Sequence, residues 1–294
     1  MTVLARLRTY GSLVALAHTV FALPFAASAV VLSLAVPHAP LGVARVLAIL
    51  GCMVLARTSA MAWNRWADRD VDAKNPRTRT RHVPAGVVRP GEALALAVVT
   101  GLGFIAVAAT LGFWPAVLSP PVLVVLLGYS YAKRFTWTAH AWLGVALALA
   151  PGGAWLAMGA LPCAGIWLLM LAVVTWLLGF DVLYSLQDES FDREAGLHSI
   201  PSRFGGRRAL IISACAHVVT VAALAACGLA LHRGAAFAVA VATAAALLVY
   251  EHSLVHRRGL AAIDKAFFDV NAWVSVAFFA LVLADEGLRR FLAP

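Results

Sequence analysis

A chain of 294 residues carries only 14 acidic side chains, and eight of them fall in two short stretches. The first runs Asn64-Arg-Trp-Ala-Asp68-Arg-Asp70-Val-Asp72. The second runs Asp181-Val-Leu-Tyr184-Ser-Leu-Gln-Asp188-Glu189-Ser-Phe-Asp192-Arg-Glu194. Asn64, Asp68 and Asp72 recur every four residues, and Asp181, Tyr184, Asp188 and Asp192 every three or four. A continuing helix would therefore put each set on one face. Like charges at that spacing repel, and acids near a helix C-terminus oppose its dipole; each effect costs a few tenths of a kcal/mol, up to about 1. Two stretches that carry this cost call for a compensating cation. Carboxylate and amide oxygens, with no Cys and no paired His among them, suit a hard ion, Mg²⁺ above all. Magnesium is normally held by one or two carboxylates together with substrate phosphates. Basic residues close by, Arg65, Arg69, Arg81, Lys133, Arg134 and Arg193 among them, complete an expected diphosphate clamp at a membrane surface. The plainer reading is a solvated loop whose acids balance its bases. It accounts for one stretch more easily than for two matching ones.

The elements that must position these groups are membrane helices. Hydrophobic residues make up 62% of the chain and charged ones 13%, against about 25% charge in a soluble domain. The mean hydropathy is +0.87. This composition excludes a disulfide scaffold, a disordered chain and an ordinary soluble enzyme. Nine apolar segments are expected as spans, at about 11–36, 41–62, 92–112, 114–132, 137–159, 162–186, 209–231, 235–256 and 266–286, so the fold class is an all-α polytopic membrane protein. Arg6 and Arg8 before the first segment loosely mimic a cleaved leader, but its length and the equally apolar segments that follow make it a first span. No linker or soluble insertion interrupts the pattern, and residues 1–294 read as a single domain.

With the N-terminus in the cytoplasm, the cytoplasmic segments hold 18 Lys and Arg and the opposite side four, with Arg57 inside the second span. That asymmetry fits an odd number of spans. The basic face would meet anionic lipid head groups, and no nucleic-acid partner is expected. Both acidic stretches then open cytoplasmic loops that turn basic and reach a His before a Pro, His82-Val-Pro84 and His198-Ser-Ile-Pro201. This is a weak internal repeat of the kind membrane folds often carry. The four cysteines stand singly and show no metal spacing; they read as small packing residues.

The chain resembles the UbiA family of intramembrane aromatic prenyltransferases. The resemblance rests on the N-x-x-x-D-x-x-x-D motif at Asn64, Asp68 and Asp72, and on D-x-x-x-D at Asp188 and Asp192 with the upstream D-x-x-Y of Asp181 and Tyr184. The YSYAKR segment from Tyr129 to Arg134 and the nine-span count extend it over essentially the whole chain. Within the family, RTSAMAWNRWADRDVDAKNPRTRTR and LYSLQDESFDREAGLHSIPSRFG look most similar to 4-hydroxybenzoate polyprenyltransferase-like members, in particular the menaquinone branch of the futalosine route.

The resemblance implies nine helices around a central cavity open to the cytoplasmic side of a bacterial inner membrane. It implies transfer of a polyprenyl group from its diphosphate to an aromatic acid, 4-hydroxybenzoate or a dihydroxynaphthoate, in ubiquinone or menaquinone biosynthesis. Asp68, Asp72, Asp188 and Asp192 would hold Mg²⁺, with Asn64 assisting. Lys133, with Arg69 and Arg134 beside it, would neutralise diphosphate oxygens. Asp181 would either take the ring proton or stabilise the allylic cation, and Tyr184 would bond a carboxylate oxygen. The loop after each motif would close and exclude water.

Other polar residues inside spans are open between two readings. Arg57 either binds the diphosphate or acceptor carboxylate or pairs helices, and His18 either contacts the acceptor or packs. Asp269 and Asn271 could line the same cavity. His140, His217, His232, His252 and His256 show no ligand spacing. The main alternative from another class is a transporter, disfavoured because the acids cluster at one membrane face. Relatives that prenylate haem or a chlorophyll precursor share the clamp and differ only in the acceptor pocket.

Overall fold

The structure, a computed structural model, describes Gly11, Leu13 and residues 19–292; of Thr19, Val20 and Ala262 the backbone alone is described. His18, Arg6 and Arg8 lie outside the described residues. Among the described residues every regular element is helical. The long helices are α1 (Thr19–Ser33), α2 (Val43–Ala67), α4 (Pro90–Ala109), α5 (Phe113–Ala132), α6 (Ala139–Ala157), α7 (Ala164–Ser185), α10 (Gly206–Ala230), α11 (Ala235–Arg258) and α13 (Asn271–Leu292). Between them sit the short α3 (Arg69–Lys74), α8 (Glu189–Glu194), α9 (Ile200–Phe204) and α12 (Ile263–Lys265).

Eight helices are long and apolar enough to cross a bilayer, and α1 is a shorter apolar helix beside them. Eight of the nine expected segments fall on these eight helices, and the described part of the first, 11–36, holds the shorter α1. Exposed apolar side chains such as Val99, Val124, Val218 and Val249, each about two-thirds accessible or more, are where a lipid environment would be. Of the spans, α7 is the most enclosed and α5 the least.

The chain divides into two compact units. In the unit built on Leu41–Tyr131, α2 packs on α4. Ser59 Oγ donates to the Ala97 carbonyl at 2.7 Å, and Gly101 faces Ser59 and Leu123 closely. Helix α4 starts where it does because Pro90 sits in its first turn, where a missing N–H costs nothing, and Glu92 accepts from the Arg89 N–H at 3.0 Å.

In the unit built on Val20–Pro40 and Ala132 onward, α7 is flanked by α6 and α10, and α11 packs on α13. Small residues let these backbones approach, as membrane packing requires. A Cβ at Gly144 of α6 would lie 2.5 Å from the Val174 carbonyl oxygen of α7, and at Gly179 it would strike the His217 ring of α10. The ends of α11 and α13 are tied by ions. Arg233 Nε meets Asp285 at 2.9 Å and its Nη2 meets Glu286 at 2.8 Å, while Asp285 Oδ1 also accepts the N–H groups of Gly234 and Phe237. These N–H groups open α11 and have no intrahelical partner, so a carboxylate from a neighbouring helix caps them.

Because the atoms facing Gly144 belong to backbone, they cannot step aside. Gly144→Ala is expected to destabilise by about 1–3 kcal/mol, read as a lowered melting temperature in detergent. Gly153→Ala, in the same helix with nothing within 4 Å, is expected to be neutral or slightly stabilising.

Candidate active site

Each acidic stretch builds the same local device. A single continuing helix does not occur in either. Helix α2 ends at Ala67, and Asp68 takes φ −95°, ψ 4° before α3 begins. Helix α7 ends at Ser185, a 3₁₀ turn covers Leu186–Asp188, and Asp188 takes φ −103°, ψ 4° before α8 begins. Both values fall in the sparsely populated bridge region, where active-site residues are often found. Each following helix is six residues long, RDVDAK or ESFDRE, and places its aspartate, Asp72 or Asp192, in the fourth position. The i to i−4 step survives the first break, with the Asp72 N–H donating to the Asp68 carbonyl at 2.7 Å.

In the first unit Asn64 Nδ2 donates to Asp68 Oδ2 at 2.6 Å and to Ser130 Oγ at 3.3 Å. Asp72 is buried and accepts both hydrogen bonds of Arg81, at 2.7 and 3.0 Å. The loop between them is fastened by Thr78 Oγ1 on the Asp72 carbonyl at 3.1 Å and by Asn75 Oδ1 accepting the Arg77 N–H at 2.9 Å. Burial, and after it the charge of Arg65, hold the His82 imidazole below its usual range. Arg69 turns away from the carboxylates of the motif. Its guanidinium donates to the Trp66 carbonyl at 2.7 Å, lies 5.3 Å above the Trp66 ring, and meets exposed Asp70 at 3.6 Å. Arg57 is half-buried in α2, seven residues before Asn64 and so on the same face.

In the second unit Lys133 Nζ meets Asp192 Oδ2 at 3.0 Å, with the carboxylate almost completely enclosed. The Lys133 carbonyl also accepts the His198 N–H at 2.7 Å, so one residue fastens the loop by both backbone and side chain. Arg134 is exposed beside it. Asp188 is buried. One turn before the break, Tyr184 lies against Phe267, with ring centroids 4.1 Å apart.

Asp181 accepts from His140 Nδ1 at 2.6 Å, and His140 is fully buried at the start of α6. His140 is a residue that sequence reasoning missed. Its spacing carries no signal, since its partner lies 41 positions away. Asp269 and Asn271 divide. Asp269 is exposed and pairs with Lys265. Asn271 is buried, accepts from Trp176 Nε1 at 2.7 Å and donates to Glu251 Oε1 at 2.7 Å. It also donates to the Ala266 carbonyl at 3.1 Å, so it supports the π-helical segment Ala266–Val270 that carries Phe267.

Chemically, each device presents two aspartates, one bonded to or preceded by neutral polar groups and one already facing a cation. Among the described residues no three carboxylate, imidazole or thiolate groups converge to hold a metal unaided. Oxygen-only donors, one or two per stretch, fit a hard ion that completes its shell with phosphate oxygens and water.

Comparison with known proteins decides the family. Residues 20–282 match the UbiA prenyltransferase family. The chain belongs to the UbiA prenyltransferase family. It is similar to the 4-hydroxybenzoate octaprenyltransferase of Aromatoleum aromaticum, 34% identical over 235 residues that cover 79% of this chain and 78% of the relative. The 4-hydroxybenzoate octaprenyltransferase of Methylococcus capsulatus is likewise 34% identical, over 79% of each chain. The apo structure of a UbiA homologue from Aeropyrum pernix is similar with a TM-score of 0.83 and 33% identity, over 91% of this chain and 98% of that one. A UbiA homologue from Archaeoglobus fulgidus, bound to GPP and Mg²⁺, shares the fold at a TM-score of 0.71 and 19% identity, over 94% and 99% of the two chains.

In this UbiA family member the buried Asp72 depends on Arg81 for its charge balance. Arg81→Ala would leave the carboxylate enclosed and short of a donor, a cost of about 1–3 kcal/mol, read as a lowered melting temperature. Adding Asp72→Asn in that background is expected to recover most of the loss.

Proposed function

We propose that the chain is a Mg²⁺-dependent aromatic prenyltransferase. It moves a polyprenyl group from polyprenyl diphosphate to an aromatic acid of the 4-hydroxybenzoate type and releases diphosphate. The observation that carries this reading is the duplicated device: a bridge-region aspartate followed by a buried, cation-paired aspartate, once at Asp68 and Asp72 and once at Asp188 and Asp192. The names of the 34%-identical relatives support the acceptor class, and the GPP and Mg²⁺ of the Archaeoglobus homologue support the donor and ion.

Asp68, Asp72, Asp188 and Asp192 are the metal ligands, and Asn64 orients Asp68 through its 2.6 Å hydrogen bond. Bound Mg²⁺ supplies charge neutralisation for the departing diphosphate. Lys133 exchanges part of its contact with Asp192 for diphosphate oxygens, while Arg134, Arg69 and Arg57 belong to the wider basic surround that draws in the diphosphate and the acceptor carboxylate. Asp181 and Tyr184 serve the carbon chemistry. The allylic C–O bond breaks with its electron pair leaving on diphosphate, the electron-rich ring attacks the cation, and a base then removes the ring proton. The Lys and Arg asymmetry supports placing both acidic loops on the cytoplasmic face of the membrane. The nine helices then form one domain of nine spans.

Purified protein with Mg²⁺, geranyl diphosphate and a panel of aromatic acids that includes a dihydroxynaphthoate tests the reading. Prenylated 4-hydroxybenzoate is expected, and chelation should abolish it. Asp68→Ala and Asp192→Ala should each lower turnover by about 100-fold or more, whereas Asp70→Ala, at a carboxylate 80% exposed, should stay near wild type. Absence of turnover with every acceptor would favour the transporter alternative.

A further inference from the structure

His140 is sealed from solvent, yet both of its ring nitrogens are engaged. Nε2 lies 3.3 Å from the backbone nitrogen of Ile200, and Nδ1 lies 2.6 Å from Asp181 Oδ2. A backbone N–H can only donate, so Nε2 must present its lone pair and the ring proton must sit on Nδ1, directed at Asp181. The imidazole is then neutral and the charge of the pair resides on the carboxylate. Oδ2 is committed to His140, whereas Oδ1 makes no hydrogen bond among the described residues. The Asp181 side chain keeps 17% of its surface accessible while that of His140 keeps none.

We propose that His140 is a positioning residue of prenyl transfer: its Nδ1–H holds the Asp181 carboxylate turned so that Oδ1 receives the proton of the reacting ring carbon. The inference rests on the transferase reading given above. Once that carbon has bonded to the allylic carbon it carries one hydrogen too many. Asp181 Oδ1 takes it as a proton, the C–H electron pair restores the aromatic ring, and Asp181 is left as a carboxylic acid that returns its proton to water. The tautomer of His140 is set by Ile200, the first residue of α9, in the loop that follows the second acidic stretch. The same loop is gripped by Lys133, through the His198 N–H at 2.7 Å and through Asp192 at 3.0 Å. The segment that carries the metal-binding aspartate therefore also fixes the partner of the base.

Three replacements separate this role from helix packing. His140→Asn keeps an N–H near the place of Nδ1, His140→Gln keeps an acceptor near the place of Nε2, and His140→Leu keeps neither. With geranyl diphosphate and 4-hydroxybenzoate, H140L and H140Q are expected to lose kcat by about 10- to 100-fold. KM for geranyl diphosphate should be unchanged, and H140N should retain most activity. Deuterium at the reacting ring position should slow H140L more than wild type, because proton removal then limits turnover. In an Asp181→Ala background H140L should cost nothing further. H140Q at wild-type kcat, or an equal loss from H140L with and without Asp181, would overturn the proposal. If H140L does not fold, H140N and H140Q decide the matter. Unchanged kcat in Asp181→Ala alone would instead remove Asp181 from the reaction and leave the transferase reading standing.

Discussion

A carboxylate taken out of water must find a positive partner or give up its charge, and the polar architecture of this membrane protein follows from that constraint. Asp72 is buried against Arg81 and Asp192 against Lys133. In the second unit Asp285 and Glu286 are enclosed against Arg233. In that cluster the carboxylate of Asp285 also caps the first turn of α11, so its role is to join helices. The Asp72 and Asp192 pairs differ in that each carboxylate meets a cation on a half-exposed side chain. A group that carries more positive charge can compete for such a carboxylate, and the displaced Arg or Lys is left where an anionic ligand can use it. In the proposed function, pairing that stabilises the resting fold is also pairing that substrate and metal exchange.

The helix breaks serve the same end. A straight continuation of α2 or α7 would spread its acids along one face with the helix dipole against them. Bridge-region backbone at Asp68 and at Asp188 instead restarts the helix. The second aspartate of each pair then lies in the first turn of a new short helix, where a negative charge is favoured. Six residues are enough, because the restarted helices need only hold one side chain apiece.

Buried polar groups are used elsewhere in the second unit to hold shape. Asn271 joins Trp176, Glu251 and the carbonyl left over by the π-helical segment. Phe267 is carried on that segment and faces Tyr184. A wall of aromatic rings, Phe21, Trp176, Phe180 and Phe267, packs edge to face beside it. Such rings offer an apolar lining whose faces tolerate positive charge without supplying a nucleophile, which suits the neighbourhood of an allylic cation.

The helices were legible in the sequence because a bilayer imposes length and apolarity on every span, and both are local properties that composition records. The two acidic stretches were legible because i, i+4 spacing of rare charges stands out against an apolar background. What spacing could not convey was the backbone between the charges, since one bridge-region residue leaves the letters unchanged. Nor could it convey partners distant along the chain. Arg69 sits next to Asp68 in sequence yet its guanidinium rests on Trp66, while Asp72 is served by Arg81. His140 carried no pattern at all, because its meaning is a meeting of α6 with α7 across 41 residues. Local periodicity fixes which groups share a helix face; which cation, imidazole or backbone N–H each of them meets depends on how helices pack, and only the tertiary structure decides that.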